Sequence, residues 1–319
     1  MSNYIIRRVL LNFLVLWFVA SMVFVATHAL PSDFAEKRVA ISFDVIDQTA
    51  AIDAARRELG LDKPLWEQYV TFMGELARGN LGTSYESRRS TWVELRERVP
   101  TTFELGSLIV LVSFGISIPI GVLSAVKQNT WIDYVLRAIS ILGVAMPVFF
   151  VAILMSLFVV KKSLFSIDVT GAPHFWTDPA AAAKLYAIPA FAGGISGGAG
   201  IMRILRSQML EVLRQDYIRT AKAKGLPDAR IWIRHALKNA MLPVLTVMGL
   251  TIGGIVGGQI ILESMFNIQG VGRFLFLSLN NRDFPPFQGT VLVIGFVIVS
   301  MNLLVDVVYA WLDPRIRFA

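Results

Sequence analysis

Apolar residues run along this chain in long blocks rather than at the spacing of an amphipathic helix or strand. The blocks are Val9 to Ala29, Glu104 to Val126, Tyr134 to Val160, Tyr186 to Ile204, Ala240 to Leu262 and Gln288 to Trp311. A helix needs about 20 predominantly apolar residues to cross a bilayer, so the pattern predicts six transmembrane helices in an all-α integral membrane protein. Arg7 and Arg8 precede the first block. A cleaved signal peptide would share that basic start, but the block is longer than the usual apolar region and no small-x-small cleavage site follows it. It reads as an uncleaved span. Residues 31–100 are polar, carry both charge signs and hold helix-like patches at Asp53–Leu59 and Trp66–Leu76. With too few apolar residues for a substantial core of its own, the stretch is expected to be a small external subdomain. The expected organisation is residues 1–30 as tail and first span, 31–100 outside, 101–312 as a five-helix membrane core, and 313–319 as a cytoplasmic tail.

Glycine and proline modify the spans. The fourth contains Gly193, Gly194, Gly197, Gly198 and Gly200, and the fifth carries the ladder Gly249, Gly253, Gly257 with Gly254 and Gly258 beside it. Glycine four residues apart lets membrane helices approach closely. The pattern fits fixed helix packing, or helices that slide during gating; either reading puts both spans inside the bundle. Pro119, Pro147, Pro189 and Pro243 each remove a backbone donor and can kink a span.

Composition agrees with the membrane reading, with 55% hydrophobic and 17% charged residues among 319. The absence of cysteine removes disulfides, thiol catalysis and cysteine-bound metal centres. The net charge of +7 would raise nucleic-acid binding in a soluble protein; here basic cytoplasmic loops account for it. Arg203 to Lys238 holds nine basic residues against Glu211, Asp216 and Asp228, and Arg315 and Arg317 end the chain. The positive-inside rule therefore places both termini in the cytoplasm, with Lys161 and Lys162 counting mildly against it.

Several chemistries have no sequence basis. No G-x-x-x-x-G-K-[ST] loop is present, so energy from ATP must enter through another chain. There is no His-Glu-x-x-His and no G-x-S-x-G. Of the three histidines, His174 with Asp168 and Asp178 is the only candidate for a weak metal site, against a solvated loop histidine. Charges inside spans usually mark ion or proton paths. Glu104, Arg137, Arg203 and Glu263 sit near span ends, and Asp306 is the one internal exception. That scarcity disfavours a proton-coupled carrier acting alone.

The segment from Arg206 to Pro243 is the most informative. Met209 to Ala223 has helical composition without a breaker, Gly225, Pro227 and Asp228 form a turn, and Asp228 can cap a second helix whose apolar side is Ile231, Ile233, Leu237 and Met241. A basic helix pair of this kind can bind DNA, anionic lipid or a cytosolic protein; DNA binding fits poorly between two spans. Gly225 stands where the EAA loop of ATP-binding-cassette importer permeases has its glycine, and Arg219-Thr220-Ala221 stand in the place of E-A-A, with only Ala221 retained. Nine residues further come His235, Ala236, Leu237 and Lys238, keeping the leucine of I-x-L-P but not its isoleucine or proline; Leu242-Pro243 follow later. The run D-Y-I-R-T-A-K-A-K-G-L with R-H-A-L-K-N-A-x-L-P is similar to B-type permeases of dipeptide, oligopeptide and nickel importers. Further resemblances are Tyr4 to Leu11 with Leu30-Pro31, Leu59 to Pro64 with Gln68-Tyr69, Gly79 to Ser84, Glu263 to Phe266 with Gly270 to Gly272, Asn281 to Pro285, Asn302 to Asp306 and Leu312 to Arg317.

The resemblance implies a type I importer (MetI-like) permease fold and a non-catalytic subunit in a bacterial plasma membrane. It implies a second, similar permease, two ATPase subunits that hold the ATP and magnesium, and an external binding protein that delivers small peptides, nickel or short oligosaccharides. This chain would hold no cofactor and no metal and bind no nucleic acid; membrane lipid surrounds it. Residues 206–238 would be the loop that docks on an ATPase, through Asp216, Tyr217, Arg219, Thr220, Ala221, Lys222, Lys224, Gly225, Leu226, Asp228, Arg234 and His235. Asp306 would then be structural or partner-facing.

Overall fold

The computed structural model describes residues 2–29, 35, 39, 48–58, 60–162 and 173–312. Leu30-Pro31, Leu59, Asp168 and the carboxyl-terminal residues Asp313 to Ala319 lie outside the described residues. Helices follow one another as α1 (Ser2–Ala29), α2 (Gln48–Glu58), α3 (Leu65–Ala77), α4 (Thr91–Val126), α5 (Trp131–Ala145), α6 (Val148–Lys161), α7 (Pro179–Leu213), α8 (Asp216–Ala223), α9 (Asp228–Arg230), a π-helical turn Ile231–Leu237, α10 (Lys238–Met265), α11 (Val271–Asn280) and α12 (Phe284–Leu312). Among the described residues the only extended pairing is an isolated bridge between Thr83 and Ser90. Five helices are long and apolar enough to span a membrane, and α5 with α6 makes a sixth if the bent pair counts as one crossing.

That pair corrects the expected straight span from Tyr134 to Val160: its halves meet at 114°. Pro147 supplies no N–H, and it disfavours helical geometry in the residue before it. Met146 is accordingly extended, at φ −85 and ψ 129. Pro119, Pro189 and Pro243 stay inside continuous helices. The fourth span begins earlier than Tyr186. Asp178 accepts a hydrogen bond from the Ala181 N–H at 2.9 Å and Pro179 takes the first helical position, so the helix starts there. Its 35 residues make a rod of about 52 Å, longer than the roughly 30 Å hydrocarbon layer.

The chain divides into two compact units, Met1–Pro100 with Gln269–Ser300 and Thr101–Ile268 with Met301–Ala319. In the first, α1 and α3 meet where Phe24 packs on Tyr69 and Phe72 and His28 Nε2 lies 3.0 Å from Gln68 Oε1. The buried Asp283 carboxylate accepts from the Ser84 hydroxyl and, at 2.8 Å, from the Tyr85 N–H, pinning the 81–90 loop to the α11–α12 corner.

In the second unit α7 is the central rod. Two-thirds (67%) of its most apolar window is buried, against 28% for the window of the fifth span. Glycine explains the close packing of α7. A Cβ on Gly193 would meet Ile109 at 3.0 Å, one on Gly194 would overlap Val112, and one on Gly198 would lie 2.8 Å from the Ser113 carbonyl oxygen. The expectation that both glycine-rich spans are interior therefore holds for α7 and not for the whole of α10. A Cβ on Gly254 would meet nothing within 4 Å, and Leu250 is exposed. The side chains of 256–258, and so the Gly257 and Gly258 positions, lie outside the described residues.

Candidate functional site

At its carboxyl end α7 passes into the segment expected to dock. Leu205 and Met209 of α7, Ile218 and Ala221 of α8, Ile231 and Ala236 of the π-helical turn, and Ala240 and Val244 of α10 share one buried cluster. The breaker-free helix expected over Met209 to Ala223 is in fact two helices, parted at Arg214 and an extended Gln215 (φ −70, ψ 150). The break turns Ile218 and Ala221 into that cluster, a gain only tertiary packing supplies.

Gly225 closes α8. It sits at φ +74, its N–H donates to the Lys222 carbonyl at 2.9 Å, and the Leu226 N–H donates to the Ala221 carbonyl at 3.3 Å. These two bonds form a Schellman motif, which requires a left-handed residue where glycine costs least. Pro227 follows and precedes α9, so the capping position falls to Pro227 and not to Asp228, which lies in the first turn without making a side-chain cap. The helix after it is π-helical over seven residues, a rare form found at functional sites. It resets the buried face to Ile231, Ala236, Ala240 and Val244, five residues and then four. Ile233, expected on the apolar side, is exposed, while Leu237 and Met241 are half-buried.

The remaining predicted residues form the opposite, outward face. Asp216, Tyr217, Arg219, Thr220, Lys222, Lys224, Gly225, Asp228 and Arg234 are exposed, and Leu226 and His235 half-buried. Asp216 and Arg219 pair at 3.2 Å, at 94% and 77% side-chain exposure, where such a pair adds little stability. Tyr217 Oη accepts from Asn239 Nδ2 at 3.0 Å, tying the start of α8 to the first turn of α10.

Two buried polar clusters flank α7, and neither was foreseen. Near its carboxyl end the fully buried Asp133 of α5 accepts from Arg206 Nε at 2.8 Å and Nη2 at 2.7 Å, from Ser124 Oγ at 2.6 Å and from the Asn129 N–H at 3.1 Å. Toward its amino end Glu104 Oε2 lies 3.0 Å from His174 Nδ1 and accepts from Tyr186 Oη at 3.2 Å, while Oε1 accepts from the Phe175 N–H at 3.1 Å. His174 is thus held by Glu104 rather than being a solvated loop residue; no cluster of three or more potential ligands occurs among the described residues, and Asp168 lies outside them. Glu263, also fully buried, accepts from Thr102 Oγ1 at 2.7 Å. Tyr186 and Arg206 are about 30 Å apart along α7, the hydrocarbon thickness of a bilayer. Asp306 lies on α12, and its side chain is outside the described residues.

Along α7, within the same unit, lies a cavity of about 260 Å³. Its wall includes Ile109 of α4, Gly193, Ser196 and Gly197 of α7, and Thr251 and Leu262 of α10. None of the described residues lining it is ionisable.

Comparison with known proteins agrees with this architecture. The family profile described as binding-protein-dependent transport system inner membrane component matches residues 117–318, and its amino-terminal counterpart matches residues 1–106. The chain is similar to the dipeptide transport system permease protein DppB of Alkalihalophilus pseudofirmus, at 36% identity over 100% of both chains. It is 39% identical to the DppB of Escherichia coli K12 over 82% of this chain and 83% of that one. It is 36% identical to the glutathione transport system permease protein GsiC of Pectobacterium atrosepticum over 100% of both. A bundle of apolar spans, a glycine-packed central rod and two matching profiles that together reach from one end of the chain to the other lead to one conclusion: the chain belongs to the family of binding-protein-dependent transport system inner membrane components, and is the transmembrane permease subunit of an ATP-binding-cassette importer.

Proposed function

We propose that this permease imports small peptides, and that the α8–Gly225–π-helical segment is where an ATPase subunit docks. The observation that carries the docking assignment is the two-sidedness of that segment. Ile218, Ala221, Ile231 and Ala236 root it in the cluster it shares with α7 and α10, while Tyr217, Arg219, Lys222, Lys224 and Arg234 face outward. A push on the outward face moves α7 and α10, two of the helices that wall the cavity. ATP and magnesium belong to two partner ATPases, a second permease completes the path, and an external binding protein delivers the cargo. Both termini lie in the cytoplasm. The peptide assignment rests on relatives named for dipeptide and glutathione transport.

Gly225 tests the docking turn. Valine there has room but not the right backbone: a β-branched residue at positive φ costs about 1–2 kcal/mol. In the reconstituted complex, Gly225→Val should insert normally yet hydrolyse ATP without uptake, and Gly225→Asn, which tolerates the left-handed region, should keep most coupling. Full coupling in the valine variant would refute the placement of the turn. For the cargo, proteoliposomes holding the whole complex and its binding protein should accumulate a labelled dipeptide on ATP addition; accumulation of nickel or maltotriose instead would replace the peptide reading.

A further inference from the structure

Helix α3 has more apolar surface than the chain covers. None of its residues is fully buried. Tyr69 and Phe72 turn to α1, where their rings lie 5.4 and 5.5 Å from that of Phe24, and Tyr69 Oη lies 2.7 Å from Ser21 Oγ. Trp66, Val70, Met73 and Ala77 follow one another by four, three and four residues, which puts them on a single side of the helix next to that contact. Trp66 and Val70 are 67% and 60% exposed, Ala77 is exposed and Met73 half-buried. Glu67, Thr71 and Glu75 make the polar side.

The contacts with α1 fix the depth at which that stripe sits. The apolar window of α1 is a membrane span that ends at Ala29. At 1.5 Å per residue, Phe24 lies about 7.5 Å inside that end and Ser21 about 12 Å. His28, whose Nε2 is 3.0 Å from Gln68 Oε1, lies about 1.5 Å inside it. Gln288 Nε2 of α12 donates to Thr27 Oγ1 at 2.7 Å, so the start of the other span in this unit is level with the same end of α1. An interfacial helix lies with its apolar face roughly 5–10 Å into the boundary between headgroups and acyl chains, which is the depth of the ring contacts here. Tryptophan concentrates at that level, because its ring is apolar and its N–H needs a polar partner.

We infer that α3 is an interfacial helix: its stripe of Trp66, Val70, Met73 and Ala77 is seated on lipid of the leaflet at the carboxyl end of α1. The 31–100 stretch is then held on the bilayer surface by α3 instead of standing wholly in water. No residue of α3 is basic, so the attraction is apolar rather than electrostatic, and zwitterionic lipid suffices.

The chain has no cysteine, so a single introduced thiol can carry a nitroxide. Val70→Cys and Ala77→Cys report on the stripe, and Thr71→Cys on the exposed polar side of the same helix. With the assembled importer in phosphatidylcholine proteoliposomes, power saturation compares collisions with oxygen, which concentrates in lipid, and with a water-soluble nickel chelate. The oxygen-to-nickel ratio at positions 70 and 77 should exceed that at 71 several-fold. Equal ratios at all of these positions would put the stripe in water. Protection of 70 and 77 from both reagents would put it under another protein subunit. Either outcome overturns the assignment.

Discussion

Asp133 and Arg206 make a bidentate ion pair inside the membrane unit, and the unit's stability depends on it. The pair is bidentate, and the carboxylate has two further donors, which is what a buried ion pair needs to offset desolvation. Arg206→Ala strands a buried carboxylate and should destabilise the unit by about 3–5 kcal/mol. Thermal unfolding of purified protein in detergent would read this as a clear drop in midpoint, and Asp133→Asn with Arg206→Met should recover part of it. No drop in the single variant would mean that water reaches Asp133. The sequence could not announce this pair, because its members are 73 positions apart and each looks like an ordinary charge at a span end. The start of α7 is legible as the capping residue Asp178 followed by Pro179, although the apolar block itself begins only at Tyr186.

At the scale of elements, glycine in α7 and glycine in α10 do different things despite identical spacing. Gly194 lets α7 approach Val112 and the Ser113 backbone of α4, so Gly194→Val should force the helices apart and abolish assembly into a stable complex. Gly254 borders open space, so Gly254→Ala should assemble with wild-type yield. Size-exclusion profiles of the two variants check the contrast, and equal behaviour would show that the two ladders are equivalent. Four prolines inside apolar blocks likewise look alike in sequence. Only Pro147 breaks its span, and the bend leaves both halves packed on α7: a Cβ on Gly143 of α5 would lie 2.9 Å from Ala199, and Val151 and Ala152 of α6 share the cluster of Leu185 to Ala192. Pro189 is itself buried within α7, and the helix continues through it.

For the whole molecule the open question is which face of the membrane each loop occupies. The absence of cysteine makes it readable, since a single introduced thiol is the only target of a maleimide. Ser87 and Lys224 are both exposed. The charge distribution predicts that Ser87→Cys reacts with an impermeant maleimide in spheroplasts, while Lys224→Cys reacts only after the membrane is opened. The reverse pattern would invert the topology and remove α8 from the reach of a cytosolic ATPase.

Sequence alone determined that this chain lives in a membrane, that its apolar spans number about six, that it lacks the phosphate loop of an ATPase, and that Gly225 and Pro227 punctuate a short helical pair. Each of these is local: a run of apolar residues, a missing motif, a residue whose backbone preference needs no partner. Tertiary structure decided the rest. It chose which proline breaks, which glycines pack, where the helix over Met209 to Ala223 parts, and how the π-helical turn shifts the buried face from Ile231 to Ala236. Those outcomes depend on what lies across the interface, and neighbours in space are not neighbours in sequence.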